Sequence, residues 1–273
     1  MDLLLLFKAA IMGLVEGITE FLPISSTGHL ILAGQLLDFW TIEKREMFAV
    51  AVQIGAIAAV IYEYWGKLWG ALIGGLKGQE QGRRLSHNLI IASVPIVIVG
   101  LTFGDIIKAY LFNAITVAIA LIVGGFIILW AERRPHSIKT QEVDDLTYKQ
   151  ATLIGLIQCL ALFPGTSRSG STIIGSLFLG VSRKAAAEFS FFLGIPVLMG
   201  AGLLDMYKMR ADLHSNDMAV LAVGIIVAFI SALIVIRALI RYVSKHDFTA
   251  FAYYRIGFGL FILVTWWTGW VSW

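Results

Sequence analysis

From Ala109 to Ala131 the chain runs through 23 residues without a charged side chain. A helix needs about 20 apolar residues to cross the hydrocarbon of a bilayer, so this run points into a membrane. Two further uncharged runs have spanning length: Met218–Ile236, and Ile256–Trp273, the last starting a little earlier through Phe251–Tyr254. Asn88–Gly104 contains Pro95, which a membrane helix tolerates as a kink. Met47–Tyr62 and Phe189–Leu204 reach spanning length by extending past one charge each, Glu63 and Asp205. Six transmembrane helices are therefore expected. Composition supports this, since 58% of the chain is hydrophobic and only 14% is charged, against about 25% charged in a soluble domain. Such a chain cannot cover a globule with polar surface, which excludes a cytosolic enzyme, a disordered protein and a coiled coil. A net charge of +3 reflects topology rather than a nucleic-acid partner. The single Cys159 excludes an intramolecular disulfide. Asp2 precedes the apolar Leu3–Phe7 and Lys8 interrupts it, so the N-terminus does not read as a cleaved signal peptide.

Two other apolar regions are broken. Leu3–Phe21 meets Pro23 and the polar Ser25-Ser26-Thr27-Gly28-His29 before Leu30–Phe39 resumes. Ala151–Phe163 meets Pro164-Gly165 and Thr166-Ser167-Arg168-Ser169-Gly170 before Ser171–Val181. The segments after the breaks are near 11 residues, roughly 16 Å as helix and too short to cross alone. Irregular backbone at membrane depth is tolerated only where it is buried or lines a wet cavity. Both regions are expected to be re-entrant hairpins.

The two hairpins resemble each other at an offset of 142 residues, which pairs Gly13 with Gly155, Phe21 with Phe163 and Gly28 with Gly170. The same offset pairs Glu46 with Glu188 and Glu63 with Asp205. The expected architecture is all-α: one integral membrane domain over 1–273, made of repeat halves 1–132 and 147–273 joined by a charged linker, 133–149. Each half holds one hairpin and three spans. Three is odd, so the second half enters upside down, an inverted-topology repeat. If the first hairpin opens on one side, that side receives six cations: Lys8, Lys44, Arg45, Lys108, Lys208 and Arg210. The other side receives thirteen and is cytoplasmic by the positive-inside rule. Both termini and the first hairpin's mouth are then external, the second hairpin enters from the cytoplasm, and the tips meet near the midplane.

Glu16 and Glu20 stand four residues apart, on one helix face. Two like charges at membrane depth need a cation, and Mg²⁺ or Ca²⁺ suits one or two carboxylates. The bland alternative places one Glu at the interface and the other on an arginine. Ser25, Ser26, Thr27, Gly28 and His29 put three hydroxyls, a glycine and an imidazole at a helix start, where backbone N–H groups favour an anion. A hydroxyl there can act as nucleophile beside a base. Helix capping accounts for one hydroxyl, not for three and a histidine. Arg168, between Ser167 and Ser169 and close to Gly170, has the planar fork that grips phosphate. A standing Arg168–Glu20 ion pair is its alternative, and both can hold. The chain has no Walker A loop, HExxH or Rossmann fingerprint, so no organic cofactor is implied.

Glu16-Gly-Ile-Thr-Glu20-Phe-Leu-Pro23-Ile-Ser25-Ser26-Thr27-Gly28-His29 resembles the glutamate-rich motif of the bacterial undecaprenyl-diphosphatases, the bacitracin-resistance family. Pro164-Gly-Thr-Ser-Arg168-Ser-Gly170-Ser resembles that family's second motif, and the likeness covers essentially the whole chain. The resemblance implies a bacterial inner-membrane enzyme that converts undecaprenyl pyrophosphate to the monophosphate with a divalent cation. It further implies recycling of the carrier lipid for peptidoglycan. Carried over by position, it makes Glu16 and Glu20 the acidic motif, Ser26 the favoured nucleophile, His29 another candidate and Arg168 the phosphate ligand. A prenyl chain would lie in the bilayer with its head group in the polar centre, a homodimer is admitted, and no nucleic acid is expected. A transporter is the rival, because inverted repeats with broken helices also build secondary transporters. It needs an anion site but no nucleophile.

Overall fold

In hydrocarbon a backbone must satisfy its own N–H and C=O groups, so each long uncharged run becomes a helix. The protein is seen here in a computed structural model that describes residues 2–135, 137–208, 214 and 217–271, without the side chains of Ile42, Gln81 and Lys108. Arg210, the Lys108 side chain and the expected end of the last span at Trp273 lie outside the described residues. Among the described residues there are eleven α-helices. The first half contributes α1 (Leu3–Thr19), α2 (Ser26–Leu36), α3 (Ile42–Glu63), α4 (Trp65–Leu76), α5 (Glu80–Leu111) and α6 (Ala114–Arg133). The second contributes α7 (Tyr148–Gln158), α8 (Arg168–Phe178), α9 (Arg183–Lys208), α10 (Met218–Val243) and α11 (Thr249–Trp267). Six of them, α3, α5, α6, α9, α10 and α11, are long and apolar enough to cross a membrane.

Three boundaries differ from the sequence expectation. The run Ala109–Ala131 is divided: its first residues finish α5, and α6 starts at Ala114. Asn113 explains the division, since its side chain accepts from the Thr116 N–H at 3.0 Å and caps α6. The segment Asn88–Gly104 is the middle of the 32-residue α5, with Pro95 inside it. The last span begins at Thr249, two residues before the expected Phe251, and carries Arg255 within it. The short α4, with Trp65, Trp69, Leu72 and Leu76 exposed, has no counterpart in the expectation.

Apolar stripes face outward: Ile226, Ile230 and Ile234 on α10, and Ile119, Val123 and Trp130 on α6, are all exposed. Soluble surfaces rarely present such continuous apolar faces. Helix length, hydropathy and this inverted surface together make the chain a multi-pass membrane protein. The interior is built around α9, whose residues Ala185 to Gly194 are all buried. Phe21, within the first break, packs edge-on against Phe191 with ring centroids 5.3 Å apart.

Small residues let the broken helices pack closely. A Cβ added to Gly13 on α1 would lie 2.4 Å from the Gly224 carbonyl oxygen of α10. A Cβ on Gly155 of α7 would lie 2.6 Å from the Ala92 carbonyl oxygen of α5. Each position tolerates only glycine at this separation, as in membrane interfaces generally. The linker docks on this frame: Leu146 and Val143 are fully buried, and the Leu146 carbonyl accepts from both Asn88 Nδ2 and Arg84 Nε at 2.8 Å.

Candidate active site

The first break runs from Glu20 to Ser25. Pro23 has no N–H to give the Thr19 carbonyl and its ring crowds that group, which favours ending α1 there. α1 ends at Thr19, and α2 starts at Ser26. Its N-cap residue Ser25 sits at φ 70°, ψ 98° and makes no side-chain capping bond. The second break repeats the geometry: Ser167 precedes α8 at φ 73°, ψ 120°. Non-glycine residues in such conformations cost about 1–3 kcal/mol and persist where surrounding contacts enforce them, typically at functional sites.

The breaks meet at the Glu20 carboxylate, which is nearly inaccessible to solvent (6% exposed). Ser26 Oγ donates to Glu20 Oε2 at 2.6 Å. Arg168 Nη2 donates to Glu20 Oε1 at 2.7 Å. One carboxylate thus touches a hydroxyl from the first break and a guanidinium from the second. The expected Arg168–Glu20 pair is present, and the same Glu also contacts a hydroxyl able to act as nucleophile. Ser169 Oγ lies 3.1 Å from the Glu20 carbonyl oxygen and 2.9 Å from that of Leu22, fastening α8 to the first break. Ser167 Oγ accepts from the Gly170 N–H at 3.0 Å and caps α8. Gly28 packs near Val117, where an added Cβ would come within 3.3 Å. Thr27 is half-buried beside Ser26.

Glu16 lies one turn back on α1, fully buried, and neither of its carboxylate oxygens has a hydrogen-bond partner. Two orphaned carboxylate oxygens beside Glu20 suit a hard cation, which prefers oxygen ligands. No group of three or more His, Cys, Asp or Glu side chains placed to hold a metal ion occurs among the described residues, so any cation here draws on two carboxylates, hydroxyls and its own waters or substrate. Mg²⁺ is commonly bound that way.

His29 stands apart. Its Nδ1 lies 2.7 Å from the Ser25 carbonyl oxygen, which can only accept, so Nδ1 carries the proton. Its Nε2 is 2.7 Å from the Tyr254 hydroxyl, and its ring stacks on Phe258 with centroids 4.0 Å apart. Both nitrogens are engaged away from Ser26 and Glu20.

Four residues of the centre escape a reading by motif. Ser190 on α9 accepts from Arg168 Nη1 through its carbonyl at 2.7 Å, and its hydroxyl lies 3.3 Å from the same nitrogen. Thr172 Oγ1 donates to Ser190 Oγ at 2.8 Å. Gly194, also on α9, leaves room for the guanidinium: a Cβ there would come within 2.9 Å of Arg168 Nη2. Arg255 reaches both breaks from α11, with Nη1 at 3.0 Å from the Pro23 and the Thr166 carbonyl oxygens. Only Arg255 had a sequence signal, since an arginine inside an apolar run marks a functional or buried polar site.

Fold and site together define a multi-pass helical membrane protein with a buried hydroxyl–carboxylate–guanidinium centre. Residues 9–261 match the family described as Bacitracin resistance protein BacA, and the chain belongs to that family. It is 64% identical over 274 aligned residues to Undecaprenyl-diphosphatase 1 of Acinetobacter baylyi, covering all of both chains. It is 59% identical to Undecaprenyl-diphosphatase 2 of Rhodospirillum rubrum, across 100% of this chain and 99% of the relative. It is 58% identical to the Undecaprenyl-diphosphatase of Nitrosomonas europaea, with the same coverage.

Proposed function

We propose that this chain is an intramembrane phosphatase that hydrolyses undecaprenyl pyrophosphate to undecaprenyl phosphate and phosphate. The reaction recycles the carrier lipid of peptidoglycan synthesis and accounts for bacitracin resistance in the family. The observation that carries this reading is the Glu20 carboxylate held between the Ser26 hydroxyl and the Arg168 guanidinium. A serine hydroxyl 2.6 Å from a carboxylate is a nucleophile beside a base, which phosphoryl transfer uses and transport does not need.

Phosphoryl transfer is mostly positioning and charge stabilisation. The prenyl chain stays in the bilayer and its pyrophosphate enters the centre. Arg168 turns its fork from Glu20 onto phosphate oxygens, while Ser190 and Thr172 hold its other face. Ser26 Oγ attacks the terminal phosphorus and its proton passes to Glu20 Oε2. The bond from that phosphorus to the bridging oxygen breaks, and undecaprenyl phosphate leaves. Water then cleaves the Ser26–phosphate bond, Glu20 returns the proton to Ser26 Oγ, and phosphate departs. A Mg²⁺ or Ca²⁺ held by Glu16 and Glu20 would neutralise charge on the phosphates. Glu16 serves that site alone, whereas Glu20 also orients Ser26. His29 holds Ser25 rather than taking the serine proton.

The same proposal places two re-entrant hairpins in an inverted-topology repeat within one domain. In support, α2 and α8 are both 11 residues long. Ser25 and Ser167, 142 positions apart, share the left-handed backbone region. Gly13 packs on α10 of the second half and Gly155 on α5 of the first. The thirteen-to-six cation bias argues for external termini and an active site opening to the periplasmic face of the inner membrane. Cysteines placed at residues 2 and 273 should react with an impermeant reagent in intact cells, and protection of both would reverse that orientation. The decisive assay is phosphate release from a prenyl pyrophosphate by purified protein, with and without chelator. Release that chelation abolishes supports both enzyme and cation; release unaffected by chelation removes the cation; no release removes the enzyme.

A further inference from the structure

We infer that Arg255 is the positioning residue that holds both breaks, and so Ser26 and Arg168, in their reactive arrangement. The kinetic arm of this inference rests on the phosphatase reading; its structural arm does not. Arg255 is 1% exposed in the middle of α11. A guanidinium has five N–H donors and no acceptor. Here all five find backbone carbonyl oxygens. Nη1 donates to Pro23 and Thr166 at 3.0 Å, Nη2 to Gly165 and Ala120 at 3.1 Å, and Nε to Leu121 at 3.2 Å. With every donor used, Arg255 is not a phosphate ligand. It faces the structure, not the substrate.

The identity of those carbonyls gives the role. Pro23 lies two residues before Ser25, and Gly165 and Thr166 immediately precede Ser167. Ser25 and Ser167 are the two N-cap residues in the left-handed region. Each is followed at once by a residue of the reacting centre, Ser26 or Arg168. Backbone that has left a helix has no intrahelical partner for its carbonyls, and in a dry interior those groups must be met. Arg255 meets them in both breaks with one rigid plane, and its bonds to Ala120 and Leu121 tie that plane to α6. Neither break can relax without giving up a bond to the same guanidinium. A lysine has three donors on one nitrogen and cannot span two breaks and a helix.

The test uses full-length purified protein in two variants and two readouts. In Arg255→Lys, kcat on a prenyl pyrophosphate should fall at least about tenfold while KM moves by less than about threefold, because misplaced groups lose transition-state more than ground-state contacts. Amide exchange should quicken in both segments, 21–27 and 164–170, with α3 and α10 unchanged. Gly124→Ala acts from outside the site: its Cβ would stand 2.2 Å from Arg255 Nη2, so the guanidinium shifts but stays. It should change both readouts in the same direction, by less. Wild-type kcat and exchange in a folded Arg255→Lys overturn the inference. So does lowered thermal stability with unchanged kcat per folded molecule, which is the mark of a purely structural residue. If Arg255→Lys does not fold, Gly124→Ala decides, and wild-type behaviour in it overturns the inference. If the wild-type protein releases no phosphate, the phosphatase reading falls while the exchange comparison still decides the role of Arg255.

Discussion

The two breaks share a backbone and differ in which buried polar atoms lack partners: both carboxylate oxygens of Glu16 beside the first, Arg168 Nε and Gln158 Oε1 beside the second. In the second, Ser167 caps α8, Ser169 bonds to the opposite break, Ser171 donates to the Ser167 carbonyl at 2.9 Å, and Thr172 reaches Ser190. Every residue from Arg168 to Leu177 is buried. In the first, Ser25 caps nothing, Glu16 has two orphaned oxygens, and buried and half-buried residues alternate along α2. In the proposed mechanism the second break presents the Arg168 guanidinium, and the first is the reactive side, where substrate and cation would complete the Glu16 carboxylate. Buried polar groups without partners are costly, and a protein keeps them where a ligand supplies the missing bonds.

The strongest way to break this contrast is at Ser26. Ser26→Ala should lower kcat by at least about a thousandfold, some 4 kcal/mol of transition-state stabilisation at 1.36 kcal/mol per decade, in a steady-state phosphate-release assay. Binding of the lipid pyrophosphate should survive because Arg168 remains. Substantial turnover in this variant would show that Ser26 is not the nucleophile and move the attacking group away from the first break.

Glu20 and Glu16 should separate next. Glu20→Ala leaves Arg168 without its 2.7 Å partner, and removing one member of a buried pair costs about 3–5 kcal/mol. A clear drop in thermal stability is expected along with lost activity. Glu16→Ala removes a carboxylate that bonds to nothing, so the fold should hold or gain while activity and cation dependence are lost. Equal stability losses in the two variants would show that Glu16 has a structural partner.

Arg168→Lys keeps the charge but loses the fork shared between Glu20 and Ser190. Turnover should fall at least about tenfold, which corresponds to ~1.4 kcal/mol. The smallest effect tests the caps directly. Ser167→Ala should destabilise by about 1 kcal/mol through loss of its N-cap bond, whereas Ser25→Ala should cost close to nothing by that route, since no cap bond exists there. A thermal-shift series on both variants would show whether the breaks differ as described.

Much of the frame was legible because hydropathy and helix breakers act locally. Six apolar runs correspond to six helices long and apolar enough to cross a membrane, and the helices after the breaks are both 11 residues long, near the expected length. Where boundaries moved, a single side chain moved them, as Asn113 did in capping α6. Arg255 interrupts the last apolar run between Tyr254 and Ile256, and a charge at that depth is itself a signal, but only the packing of α11 shows what it meets. Ser190, Thr172 and Gly194 carried none. A serine, a threonine and a glycine in apolar helices are ordinary until a guanidinium is known to lie against them.

By itself the sequence determined that this chain enters a membrane, where its backbone breaks, and which polar residues sit at those breaks. These follow from transfer free energies and from the missing N–H of proline, which depend on a residue and its near neighbours. Only the tertiary structure decided that Glu20 and Arg168, 148 positions apart, share a bond, and that Arg255 closes on Pro23 from 232 positions away. Those contacts are set by how α1, α8 and α11 pack. No local rule specifies packing, because it depends on the shapes of all the helices at once.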